Sequence, residues 1–235
     1  MKHRKEQGPA LYTLKQEEGC IGIERNGRWL MTPAGKPYAL PTLPLAQEIL
    51  KEWQVQGEKI NPLTMPLCQL ASTALDIIAK DRAKITGGLL AYIGSELLCH
   101  RAEGPQDLIQ KQNDVWQPYL NWARDRYDIA FKTGSGIMPI EQSGSIAPRL
   151  EKVIDAMDDF ALAGLSSATD SAGSLILGLA LAEGFRTGKA IFEAAELDAL
   201  HQAIKWGEDP AAAAKQDTIR ADLQACERWF GLLRG

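Results

Sequence analysis

The stretch SLILGLALA, residues 174–182, has no polar face. A helix that is apolar all round is stable in water only when other elements enclose it, and this run is far short of the ~20 residues that cross a bilayer. The chain must therefore wrap a helical layer around it, and Gly173, Ser174 and Gly178 are small enough to let neighbouring helices approach closely. Its 235 residues give length for one or two domains and a substantial core.

Candidates for the enclosing layer follow from spacing. Leu150, Val153, Ile154 and Met157 form one stripe, leaving Asp155, Asp158 and Asp159 for solvent. Ile219, Leu223, Cys226, Phe230 and Leu233 repeat at 4-3-4-3 in a final helix. Residues 189–206 read as one helix that turns Ala190, Ala194, Leu197, Leu200 and Ile204 to the core, with Thr187 ahead of it as N-cap. The segment 104–127 is long and aromatic; Pro118 should kink or divide it, and Trp116, Tyr119 and Trp122 suit packing better than contact with a partner.

The first forty residues differ. Short alternating segments are broken by Gly, Pro and Asn26-Gly27, a pair that accepts the positive φ of a type I′ hairpin turn. Residues 32–37 make a second turn. A helix then starts at Thr42, with Pro44 in its first turn and Leu45, Ile49, Leu50 and Trp53 on one face, and a second carries Leu67, Leu70, Leu75 and Ile78. The expected fold class is α+β: a small N-terminal β-containing domain, residues 1–85, followed by a C-terminal all-helical domain, residues 86–235. Residues 127–142 interrupt the helices and could return to the first domain's sheet.

A net charge of −4 supplies no basic excess to neutralise phosphates, which argues against nucleic acid as a partner. Cys20, Cys68, Cys99 and Cys226 never form a C-x-x-C pair, so they read as free thiols in a reducing compartment. No apolar core follows the basic start, so no secretory signal is expected and the location should be cytoplasmic, without membrane insertion. His3, His100 and His201 lack ligands at metal spacing, GFRTGKA is one residue short of a P-loop, and nothing matches G-x-S-x-G. No catalytic residue, metal or cofactor is expected.

The segment KWGEDPAAAA, residues 205–214, is the remaining irregularity. Gly207 suits the left-handed position after a helix, Asp209 an N-cap, and Pro210 the first helical position. His201 and Lys205 suit the negative end of the preceding helix dipole. Capping does not account for Trp206 or Glu208.

Four segments together resemble the ATP12 family, assembly chaperones of the F1 part of ATP synthase. They are TPAGKPYALPTLPLAQEILKEWQVQGEKINPLTMPL (32–67), ELLCHRAEGPQDLIQKQNDVWQPYLNWA (96–123), GSLILGLAL (173–181) and WGEDPAAA (206–213). The order is kept from about Gly27 almost to the C-terminus, although His100, Ser72 and His201 stand where the family usually has tyrosine, asparagine and tryptophan. The resemblance implies a β-containing domain before a helical one. It also implies binding of the free F1 α subunit, whose exposed assembly surface would otherwise aggregate, until that subunit joins β, by a chaperone that is monomeric when free. Similarity in the W-G-E-D segment makes Glu208 the first interface candidate, with Trp206 beside it and Asp209 next. Arg101 and Glu103 could be rim charges or could pair with each other. Two other classes stay open: an enzyme using Glu208 or Glu103 in an inter-domain cleft, and a permanent subunit of a larger assembly.

Overall fold

The computed structural model describes residues 11–17, 19–136, 139–207 and 209–235. Strands β1 (Tyr12–Glu17) and β2 (Cys20–Arg25) pair antiparallel from Tyr12↔Arg25 to Glu17↔Cys20. The short strands β3 (Arg28–Trp29) and β4 (Ala39–Leu40) share the other edge of β2. Asn26 and Gly27 both take positive φ, 52° and 75°, as the hairpin turn requires. Alternation puts Ile21 and Ile23 into the core. On the opposite face the Trp29 ring lies over Gly22 and leaves no room for a Cβ.

Helix α1 (Leu43–Gln54) starts as its sequence indicates: the Thr42 hydroxyl accepts from the Leu45 N–H at 3.3 Å, and Leu45, Ile49 and Trp53 are buried. That hydroxyl also donates to the Leu232 carbonyl, tying α1 to the far end of the chain. Helices α2 (Pro66–Ser72) and α3 (Ala79–Ala91) are joined by a π-helical turn over Thr73–Ile78. Within it Asp76 accepts the Thr32 hydroxyl at 2.7 Å and the Ala34 N–H at 3.1 Å, so the 32–37 turn is fastened to the helices. Glu52 accepts the Leu67 and Cys68 N–H groups at 3.0 and 2.8 Å, satisfying donors that α2 leaves free at its start.

The rest is helical: α4 (Gln106–Tyr127), α5 (Ile146–Asp155), α6 (Asp159–Ala172), α7 (Leu175–Ala182), α8 (Gly188–Ala195), α9 (Leu197–Trp206) and α10 (Pro210–Arg234). Helix α7 is the enclosed one. From Leu175 to Leu181 no side chain is more than 1% exposed, with α4, α6, α8 and α10 around it. The close approaches come from glycine. A Cβ on Gly178 would stand 3.2 Å from the Thr169 backbone nitrogen in α6, and one on Gly164 would stand 2.7 Å from the Trp229 ring of α10. Gly173 and Ser174 act differently from expectation: Gly173 ends α6 at φ 65°, and Ser174 caps α7 by accepting the Leu177 N–H.

Ser174 also donates to Glu96, a carboxylate 1% exposed that further accepts the Leu98 and Ile176 N–H groups. Burial, the dominant influence, pushes its pKa up to about 7 against these stabilising bonds.

Three expectations need correction. The 189–206 helix is two helices, broken at Glu196, whose φ and ψ of −98° and 16° are not helical. Pro118 does not divide α4. Its position is exposed, so water can satisfy the carbonyl that the missing N–H leaves free. Residues Gly134–Ser135 (β6) pair in parallel with His100–Arg101 (β5), not with the N-terminal sheet.

Buried hydrophobics from the sheet, α1 and α2 form one connected cluster with those of α6, α7 and α10. Two outcomes test these contacts. Gly164→Ala should lower the unfolding free energy by about 2 kcal/mol through overpacking, whereas Gly231→Ala, with open space around it in α10, should be neutral or stabilising; urea denaturation measures both. For Glu96, the folded chain keeps its proton up to about pH 7 while the unfolded chain releases it near 4.5. Stability therefore falls as pH rises through that window, by about 3 kcal/mol in order of magnitude. Glu96→Gln should flatten the profile between about pH 5 and about pH 8.

Candidate functional site

The corner between α9 and α10 is where the sequence left two residues unaccounted for. Trp206 ends α9 with 75% of its surface exposed, and Ile204 is 79% exposed. The second value corrects the expectation of a core position: the periodicity of α9 holds through Leu197 and Leu200, but its last turn stands clear of the bundle. Gly207 takes a positive φ of 92°, but with ψ of 160° it is extended, not left-handed helical. Asp209 caps α10 by accepting the Ala212 N–H at 3.2 Å, with Pro210 first in the helix. Glu208 lies outside the described residues.

Polar contacts clamp α9 to α4 behind this corner. Lys205 Nζ lies 3.0 Å from the Asp107 carboxylate, and His201 Nε2 approaches the same group at 3.7 Å. The Lys205 hydrogen bond holds the Asp107 carboxyl below its ordinary pKa. Asp107 also sits in the first turn of α4, where the helix dipole favours a negative charge. Nothing in the sequence singled it out: an acid in a first turn is common, and its partner is about a hundred residues away.

Arg101 is half-buried rather than a free rim charge. Its guanidinium lies 5.1 Å from the centre of the Trp116 ring and donates to the Gln112 carbonyl at 3.1 Å. The Gln112 side chain accepts the Ala102 N–H and donates to Asp198 of α9, both at 2.8 Å. Arg101 is thus joined to α9 through α4. Glu103 is exposed and lies against Gly136 after β6, so the structure does not bring Arg101 and Glu103 together as an ion pair among the described residues. Trp116 and Tyr119 are core residues whose polar atoms donate to the Ala194 and Ala190 carbonyls, while Trp122 is half-buried and stacked on Phe185 at 5.0 Å.

Between α4 and α9 runs a groove of about 630 Å³, lined by Lys111, Val115, Leu197, Leu200, Ala203 and Ile204, with Glu193 at its edge. It is mostly apolar and opens next to the exposed corner. The arrangement suits binding of another macromolecule's surface. The carboxylates held above their ordinary pKa by deep burial are committed elsewhere: Glu96 is sealed, and Glu52 serves α2. Among the described residues no group of three or more His, Cys, Asp or Glu is placed to hold a metal ion, and no helix is long and apolar enough to cross a membrane.

Residues 10–124 match the family described as ATP12 chaperone protein. The fold is similar to that of Atp12 from Paracoccus denitrificans, at TM-score 0.90 and 31% identity over 95% of this chain and 96% of that one. An aspartate-to-lysine variant of the P. denitrificans protein matches at the same TM-score and identity over 95% of each chain. A protein from Agrobacterium tumefaciens matches at TM-score 0.87 and 35% identity, over 94% of this chain and 84% of that one. Full-length agreement at this identity, with the same order of a small sheet and an enclosed apolar helix, shows that the chain belongs to the ATP12 chaperone family.

Proposed function

We propose that the protein is an assembly chaperone that holds the free α subunit of F1-ATPase until that subunit joins β, working in the cytoplasm as a monomer. Family membership supports the chaperone role. The single observation that carries the reading onto this chain is the exposed apolar corner of Ile204 and Trp206. Leaving an indole in water forgoes the burial that would otherwise stabilise the chain, and a partner's apolar surface would recover it. An unassembled α subunit offers such a surface, because what the F1 hexamer later buries is exposed before assembly. Exchange to β then needs no nucleotide hydrolysis: a more extensive α–β contact suffices.

Within this reading Glu208 and Trp206 contact the client, Asp209 flanks them, and Arg101 positions α4 and α9 through Gln112 and Asp198. Glu103 is a rim charge. The enzymatic alternative has little to draw on, since the carboxylate most perturbed by burial, Glu96, is closed to any substrate.

Co-expression with the F1 α subunit of the same organism, in the absence of β, should raise the amount of soluble α and co-purify it. Glu208→Lys and Trp206→Ala should each reduce the recovered complex. If wild type neither solubilises nor retains α, the proposal fails; if all versions perform equally, only the corner is wrong. Asp209 permits a separate comparison. Asp209→Ala removes the cap and should cost about 1 kcal/mol, whereas Asp209→Ser keeps a capping oxygen and should cost only a few tenths. A loss of α binding in the serine variant would therefore report contact and not helix fraying.

A further inference from the structure

The α4–α9 groove has a shape and a charge that restrict what can fill it. Along α9, Leu197, Leu200 and Ile204 fall at i, i+3 and i+7, so the apolar floor runs for about two helical turns, ~10 Å. Both walls are helices, whose backbone N–H and C=O groups are spent on their own ladders. An extended segment laid here would find no strand edge and would leave its own backbone unpaired. A helix arrives with its backbone already satisfied.

Lys111 supplies the charge constraint. It is half-buried in the α4 wall, one turn from Val115, and no carboxylate among the described residues pairs with it. The acids nearby on these helices are engaged: Asp107 with Lys205, Glu193 with Lys189, Asp198 with Gln112, and Asp114 with Gln110. An ammonium held against an apolar groove favours an occupant that brings its own negative charge.

We propose that the groove receives an amphipathic helix of the client, with apolar residues at i, i+3 or i+4, and i+7, and an aspartate or glutamate facing Lys111. This rests on the reading of the α subunit as client and extends it from an exposed corner to a defined mode of recognition. Trp206, two residues beyond Ile204, then lies at the mouth of the groove and not at its centre.

The test uses the full-length chain with purified F1 α subunit. A photo-crosslinking residue is placed at position 204 and, for comparison, at position 63, where Leu63 is 87% exposed on a different part of the surface. Crosslinked peptides are identified by mass spectrometry, and affinity is measured for wild type, Ile204→Asp and Lys111→Glu. Neither side chain is buried, so thermal unfolding should be unchanged and lost binding would not report misfolding. The expected result is crosslinking from position 204 to an acid-bearing helical segment of α, with affinity lowered about tenfold by each substitution. Crosslinks to an extended segment, crosslinks from position 63 alone, or crosslinks to a second copy of this chain would each overturn the proposal. Undiminished binding by both variants would do so as well, while leaving the client assignment intact. If wild type captures no α, the client assignment fails and the helix-in-groove proposal fails with it.

Discussion

Helix α7 sets the terms for everything around it. Its residues from Leu175 to Leu181 are in contact with protein on every side, so each neighbouring element must present a surface that fits an unbroken apolar cylinder. The fit is obtained by subtraction. Gly178 lets α6 come within backbone distance, and Gly164 lets α10 lay Trp229 and Phe230 against α6. Ser174 starts α7 while offering its hydroxyl hydrogen to Glu96, so the polar beginning of this apolar helix is satisfied inside the core and not at its surface. Moving any wall outward would expose leucines that have no polar face to turn to.

This arrangement separates the stable part of the molecule from the part available to a partner. Helix α9 is held at both ends by polar contacts, Glu196 with Gln216 and Lys205 with Asp107, instead of by complete burial. Among its residues only Leu197 is fully buried. A helix retained in this manner can keep one apolar flank open without loosening the core behind it. That division of labour suits a chaperone, which has to offer apolar surface without itself being unstable.

The sequence was most informative where local chemistry decides conformation. Asn26-Gly27, the caps Thr42, Thr187 and Asp209, and the stripe of Leu150 and Ile154 behave as their residue types require. It was least informative where the outcome depends on distant partners. Nothing between Ala195 and Leu197 breaks a helix locally, so the division at Glu196 reflects how α8 and α9 pack and not propensity. Ile204 keeps the right period for burial, but period cannot say where the bundle ends. The Lys205–Asp107 clamp and the unpaired Lys111 join residues about a hundred positions apart, which no spacing rule reaches. Family resemblance narrowed the function, yet the groove beside the corner became visible only in three dimensions.

The π-helical turn at Thr73–Ile78 carries a consequence for how the two ends of this helical run are phased. It widens the helix by one residue per turn, and it holds Asp76 against the 32–37 turn on one side. Farther along the same run Arg82 reaches Asp159 at 2.7 Å and the Ile154 carbonyl at 3.2 Å, fastening α3 to the α5–α6 junction. Removing a single residue from the wide turn would restore ordinary winding and rotate α3 against α2 by about 100°. Asp76 and Arg82 would then no longer point to their respective partners at once. The extra residue acts as a phase shift between two clasps, which makes the length of this segment as constrained as its composition.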